Sequence, residues 1–122
     1  MKANILLVDD FAPWRSHIRH MLQARREWTI VSEACDGQEA IAKATEFQPD
    51  IVLLDLALPT TNGIEAANII RQRCPKSKII FVSENSDGEI IEAAKAIGRA
   101  YVVKSKVADE LLDAIATALR DY

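Results

Sequence analysis

The chain has 122 residues, 49% hydrophobic and 27% charged, enough for one compact domain that buries its core without disulfides or a structural metal. A net charge of −3 leaves no basic excess for a nucleic-acid surface. The opening MKANILLVDD has one lysine and a short apolar run before two acids, too short for a secretion signal or a membrane span, so a cytoplasmic protein is expected.

Residues 4–8 form an apolar run that stops at Asp9 and Asp10. Pro13 fits the first turn of a helix, where its missing N–H is no loss, and Trp14, Ile18, Met21 and Leu22 then recur at helical spacing to about residue 25. Residues 28–34 carry Thr29, Ile30 and Val31 and read as a second strand. Asp36-Gly37 is a turn signal; Ala40, Ile41, Ala44 and Phe47 make a second amphipathic helix that must stop before Pro49. Residues 51–55, IVLLD, are a continuous apolar run into one carboxylate, the pattern of a strand buried on both faces.

After Pro59 the polar loop Thr60–Thr61–Asn62–Gly63 leads to a third helix through Ile64, Ala67 and Ile70, stopped at Cys74-Pro75. Residues 78–82 are a fourth buried strand, ended by Ser83. Ser86 and Glu89 make a capping-box pattern before Ile90, Ala93, Ala94 and Ile97, with Gly98 as the terminating glycine. Residues 100–103 are a fifth strand followed by Lys104, and Val107, Leu111, Leu112, Ile115 and Leu119 complete the last helix. Cys35 and Cys74 form no CxxC or Cys/His cluster, which points to two buried or half-buried free thiols in a reducing compartment. His17 and His20 lack a third ligand and read as an exposed helix face; Arg71, Arg73, Lys76 and Lys78 read as solvated surface.

Strand and helix alternate five times with short connections, which predicts a single α/β domain over 1–122. Right-handed crossovers then favour a flavodoxin-like five-stranded parallel sheet, order 2-1-3-4-5, with helices on both faces. In that order strands one and three are neighbours, so Asp9, Asp10 and Asp55 end at one edge. Three carboxylates together require a cation or raised pKa values. Oxygen ligands without thiol or imidazole suit Mg²⁺, with Mn²⁺ as the alternative. Asp55 is then a candidate nucleophile for an aspartyl-phosphate, with Ser83 to donate a hydroxyl and Lys104 to supply a charge.

The motifs LLVDD, LLDLALP followed by Gly63, IIFVS and AYVVKS together resemble the receiver domain of a bacterial two-component response regulator over essentially the whole chain. The Lys-Ser pair and the phrase DGQEAI are most similar to the LuxR-type subfamily. The resemblance implies Asp55 as phosphoacceptor, with Asp9, Asp10, Asp55 and the Ala57 backbone carbonyl holding Mg²⁺. It implies Ser83 as switch hydroxyl, Lys104 as phosphoryl contact and Tyr101 as switch aromatic. Two positions depart from the common pattern: Ser105 stands where many receivers have proline, and Glu84 where a small residue is usual. The resemblance further implies that Ala57, Glu84 and Asn85 occupy positions that modulate the lifetime of a phosphoryl group.

The expected function is therefore a signalling switch and not a conventional enzyme. A sensor histidine kinase or phosphotransfer protein would phosphorylate Asp55 in a self-catalysed transfer, altering the face of helix four, strand five and helix five. An output domain or protein partner and a phosphorylation-dependent homodimer are the implied readouts, with no direct nucleic-acid or membrane contact. The alternative is a phosphorylation-independent interaction module on the same fold. A dehalogenase-like phosphatase would need DxD on the first strand and a flavin carrier a hydroxyl- and Gly-rich loop there; DDFAPW offers neither.

Overall fold

The structure, a computed structural model, describes residues 1–121. Its strands are β1 (Ala3–Val8), β2 (Trp28–Ala34), β3 (Ile51–Leu54), β4 (Lys78–Ser83) and β5 (Ala100–Val103), and its helices are α1 (Ala12–Leu22), α2 (Gly37–Phe47), α3 (Gly63–Arg73), α4 (Gly88–Lys95) and α5 (Val107–Arg120). A single 3₁₀ turn, Lys104–Lys106, links β5 to α5. All pairings are parallel and the order is β2-β1-β3-β4-β5, as the alternation of elements predicts.

Alternate strand residues feed two cores. Ile5, Leu7, Leu53, Ile80 and Val82 face α1 and α5; Leu6, Val8, Leu54, Ile79 and Phe81 face α2, α3 and α4. Every residue of β3 is buried, which is why it reads as one apolar run. Each such side chain contributes roughly 1.5–3 kcal/mol on burial, so the central strands cannot slip without exposing both cores.

Several local expectations are corrected. Phe47 ends α2 but is 41% exposed, whereas Ala40 and Ala44 of the expected apolar face are buried. α1 stops at Leu22, because the Arg25 N–H closes a tight turn onto the Leu22 carbonyl. The cap of α4 is Asp87 rather than Ser86: the Asn85 side chain accepts the Asp87 N–H at 2.8 Å, and Asp87 in turn accepts from Glu89 and Ile90. Gly98 is not in the left-handed conformation; a Cβ there would lie 2.8 Å from the Phe81 ring and 2.9 Å from the Ile79 carbonyl, so close packing requires it. Cys74 is buried as expected, whereas Cys35 is exposed, in the turn between β2 and α2. Lys78 is no free surface cation: its ammonium donates to the carbonyls of Ala118 and Asp121, closing the C-terminus of α5.

Candidate functional site

The site grows from strand ends in register. Val8 pairs with Leu54, so the residues that follow, Asp9 and Asp55, are neighbours beyond the sheet. Their backbones are fixed: the Asp55 N–H donates to the Val8 carbonyl at 3.2 Å and the Asp9 N–H to that of Ala34 at 3.1 Å. Ser83 closes β4 opposite Val103, and Lys104 follows it. Asp9 and Asp55 are 1% and 5% exposed, whereas Asp10 is exposed. One carboxylate oxygen from each of these acids lies within 4.8 Å of the others.

Lys104 sits between the two buried acids, its Nζ 2.7 Å from Asp9 Oδ2 and 3.3 Å from Asp55 Oδ2. Asp9 Oδ1 accepts the Phe11 N–H at 2.9 Å, and Asp55 Oδ1 accepts that of Ala57 at 3.2 Å. Asp9 Oδ2 is buried and faces the Lys104 ammonium at 2.7 Å, the distance of a charge-assisted contact. Burial pushes the Asp9 carboxyl above its ordinary range; Lys104 and the Phe11 N–H oppose the shift and the Asp55 charge adds to it. Burial alone would lower the Lys104 ammonium, but the two acids outweigh it and raise that pKa. The donor set, three carboxylates that bring one oxygen each within 4.8 Å of the others with no thiol or imidazole, fits a hard divalent cation.

Ser83 is buried, and its Oγ accepts the Asn85 N–H at 3.4 Å. Tyr101, half-buried on β5, donates its hydroxyl to the Asn85 carbonyl at 2.7 Å and lies 6.2 Å from the Phe81 ring. Burial raises its pKa, opposed by Ser83 and reinforced by the Asp55 charge. Glu84 and Asn85 stand exposed on the rim, and Ala57 is exposed on the facing loop. A cleft of about 920 Å³ opens here, with Phe11, Ile64 and Ile90 among its apolar walls. The floor depends on Gly63: its N–H donates to the Leu56 carbonyl, and a Cβ would come within 2.4 Å of the Asp55 carbonyl oxygen.

All nine residues singled out in the sequence therefore fall at this edge. His17 and His20 are exposed on α1, and Asp9, Asp10 and Asp55 are the one metal-competent acid or histidine group among the described residues. Three further residues reach the site without a spacing signal. Arg15 donates from Nη1 to the Asp9 carbonyl at 2.6 Å and from Nε to Glu33 at 3.0 Å. Glu33 also binds Arg19 and is held below the usual carboxylate range, chiefly by that partner. Trp14, expected simply as a helix face residue, places its ring 4.9 Å from Lys104 Nζ.

Residues 5–116 match the response regulator receiver domain family. The chain is 33% identical over 120 residues to the uncharacterized transcriptional regulatory protein YxjL of Bacillus subtilis, covering 98% of this chain and 55% of that protein. It is 31% identical over 114 residues to the nitrate/nitrite response regulator protein NarL of Escherichia coli, covering 93% of this chain and 53% of NarL. The crystal structure of a LuxR-family two-component response regulator from Aurantimonas superposes with a TM-score of 0.90 at 36% identity, covering 98% of this chain and 86% of that one. The chain thus spans about half the length of the curated relatives it matches. Among the described residues no helix is long and apolar enough to cross a membrane.

Proposed function

The chain belongs to the response regulator receiver domain family, and from that premise we propose that it is a phosphorylation-controlled switch whose phosphoacceptor is Asp55. The donor is a phosphohistidine on a sensor histidine kinase or phosphotransfer protein. A carboxylate oxygen of Asp55 attacks phosphorus in line, the P–N bond to the imidazole breaks, and a P–O bond forms. The nucleophile enters as the carboxylate, so no base is needed to deprotonate it. The observation that carries this reading is the Lys104 ammonium, held within 3.3 Å of a buried Asp55 at the floor of an open cleft.

Each neighbour has a task in the transfer. Lys104 exchanges its contact with the Asp55 carboxylate for one with a phosphoryl oxygen, keeping the charge neutralised throughout. Ser83 turns its hydroxyl from the Asn85 N–H to donate to a second phosphoryl oxygen. Asp9, Asp10, Asp55 and the Ala57 carbonyl would hold Mg²⁺, or Mn²⁺. That ion supplies positive charge against the acids and the phosphoryl oxygens.

The readout begins at Asn85, which is bonded to both Ser83 and Tyr101. A shift of Ser83 strains that link and frees Tyr101 to repack, changing the surface of α4, β5 and α5. An output domain, a protein partner or a second copy of the chain would read that surface, in the cytoplasm. Exposed Ala57, Glu84 and Asn85 line the approach of water and set how long the phosphoryl group lasts. Mass spectrometry after incubation with a small phosphodonor tests the reading: wild type gains one phosphoryl mass with Mg²⁺, and Asp55→Asn gains none. Equal labelling of the two proteins, or no labelling of wild type, would overturn it.

A further inference from the structure

Lys104 is poorly tethered by its own element. β5 ends at Val103, the lysine opens a single 3₁₀ turn, and its stem has four rotatable bonds whose freedom must be restrained before the ammonium is useful. Its side chain is nevertheless only 12% exposed, and something beyond the two acids confines it. The third neighbour is Trp14, half-buried in the first turn of α1 and packed against the α1/α5 core. Its ring centroid lies 4.9 Å from Nζ, inside the range at which the negative face of an indole attracts a cation. The indole also meets the His17 ring, with centroids 5.4 Å apart and the planes tilted.

We propose that Trp14 is a positioning residue for Lys104, holding the ammonium over the Asp9/Asp55 pair so that it is in place when a phosphoryl group arrives. The proposal rests on the phosphoacceptor reading of Asp55. A residue that only fills space is replaceable by another apolar side chain of similar bulk. A ring facing a desolvated ammonium is not, because leucine has no quadrupole to offer. The location also separates Trp14 from the structural tryptophan. Trp28 opens β2 opposite Ala3, at the far end of the strand that delivers Asp9. Six residue steps from Ala3 to Asp9 place it roughly 20 Å away along β1.

The test has two arms. Trp28→Phe leaves Trp14 as the sole tryptophan, and its emission reports the contact in the protein alone. Adding Lys104→Met to that background is expected to change the emission intensity of Trp14 with no phosphodonor or metal present. The second arm titrates beryllium fluoride, a tetrahedral phosphoryl mimic, with Mg²⁺ into wild type, Trp14→Phe and Trp14→Leu. Trp14→Leu should bind two- to fivefold more weakly than wild type, roughly the size of one cation–π contact. Trp14→Phe, which keeps a π face, should fall between them, and urea denaturation of each variant separates this order from any loss of stability. Emission indifferent to Lys104→Met overturns the proposal, as does equal binding by wild type and Trp14→Leu. Wild type that binds no beryllium fluoride, with the emission still responding to Lys104→Met, overturns the acceptor reading while leaving the Trp14–Lys104 contact established.

Discussion

Replacing Lys104 by methionine keeps most of the stem and removes the one cation between two buried acids. At an effective dielectric of about 20, contacts of 2.7 Å and 3.3 Å are worth about 6 and about 5 kcal/mol before desolvation. Desolvation of the ammonium cancels much of that, and losing one partner of a buried pair costs about 3–5 kcal/mol. A ceiling follows from proton uptake, since one proton replaces the missing charge. From an ordinary value of 3.8, protonating Asp9 costs about 4.4 kcal/mol at pH 7 and about 1.6 kcal/mol at pH 5. We therefore expect Lys104→Met to lose about 3 kcal/mol at pH 7 without divalent cations, and less than about 1.6 kcal/mol at pH 5. The sign is fixed by the direction of the Asp9 shift. Its folded pKa lies above the unfolded value, so the folded state holds that proton more tightly and stability falls as pH rises through the window from 3.8 upward. Removing Lys104 raises that pKa further and extends the window towards neutrality. Urea denaturation at the two pH values, followed by circular dichroism with unchanged m, measures both losses. A variant as stable as wild type at pH 7, or a deficit that grows on acidification, refutes the reasoning.

Three other perturbations test separate parts of the structure. Gly63→Ala forces a methyl to within 2.4 Å of the Asp55 carbonyl oxygen and 2.6 Å of Leu56 Cα, backbone atoms that cannot swing aside. It should cost about 3 kcal/mol, and an unchanged melting temperature would count against the close approach. Glu33→Gln removes a carboxylate whose pKa Arg19 holds down, so its contribution is present above 4.5 and is lost as pH falls through the lowered folded value. The variant should be about 1 kcal/mol less stable at pH 7, a surface-sized effect, with the gap closing in acid; a gap constant with pH contradicts the assignment. Asp87→Ala should lose about 1 kcal/mol of stability as a deleted helix cap, while Ser86→Ala should stay within about 0.5 kcal/mol of wild type. The reverse order in chemical denaturation would return the cap to Ser86.

The strand order and the acid cluster were legible because buried parallel strands must be apolar on both faces, so each polar residue at a run's end marks a place where the sheet stops. Asp9, Asp55, Ser83 and Lys104 all announce themselves in that way. Positions decided by local geometry were harder. Ser86 and Asp87 are both competent caps, and only the Asn85 turn, which presents Asp87 at the helix entry, selects between them. Gly98 has the sequence signature of a helix terminator, but its requirement comes from the Phe81 ring, contributed by a strand seventeen positions earlier. Arg15 and Trp14 were invisible as site residues for the same reason. Their spacing marks a helix face, while their reach to Asp9 and Lys104 depends on how α1 crosses the sheet, which no local pattern encodes.

The two halves of the site are anchored unequally. Asp9 and Asp55 are locked by backbone bonds to the neighbouring strands β2 and β1, and Gly63 wedges the following loop beneath Asp55. Moving either acid means breaking the sheet. Across the cleft, Ser83 meets Asn85 through one bond of 3.4 Å, and Tyr101 holds the same residue through one of 2.7 Å. The loop beyond it is exposed, and α4 buries only Ala94 among its eight residues while leaving Ile90 at 36% exposure. On the proposed phosphoacceptor reading, an added negative charge at Asp55 would meet more resistance from the backbone-anchored acids than from this sparsely buried segment. In the proposed switch the acids would be the fixed point and the β4–α4 segment the moving part. Lys104, 4.9 Å from the Trp14 ring and within 3.3 Å of both acids, is the side chain that would join them.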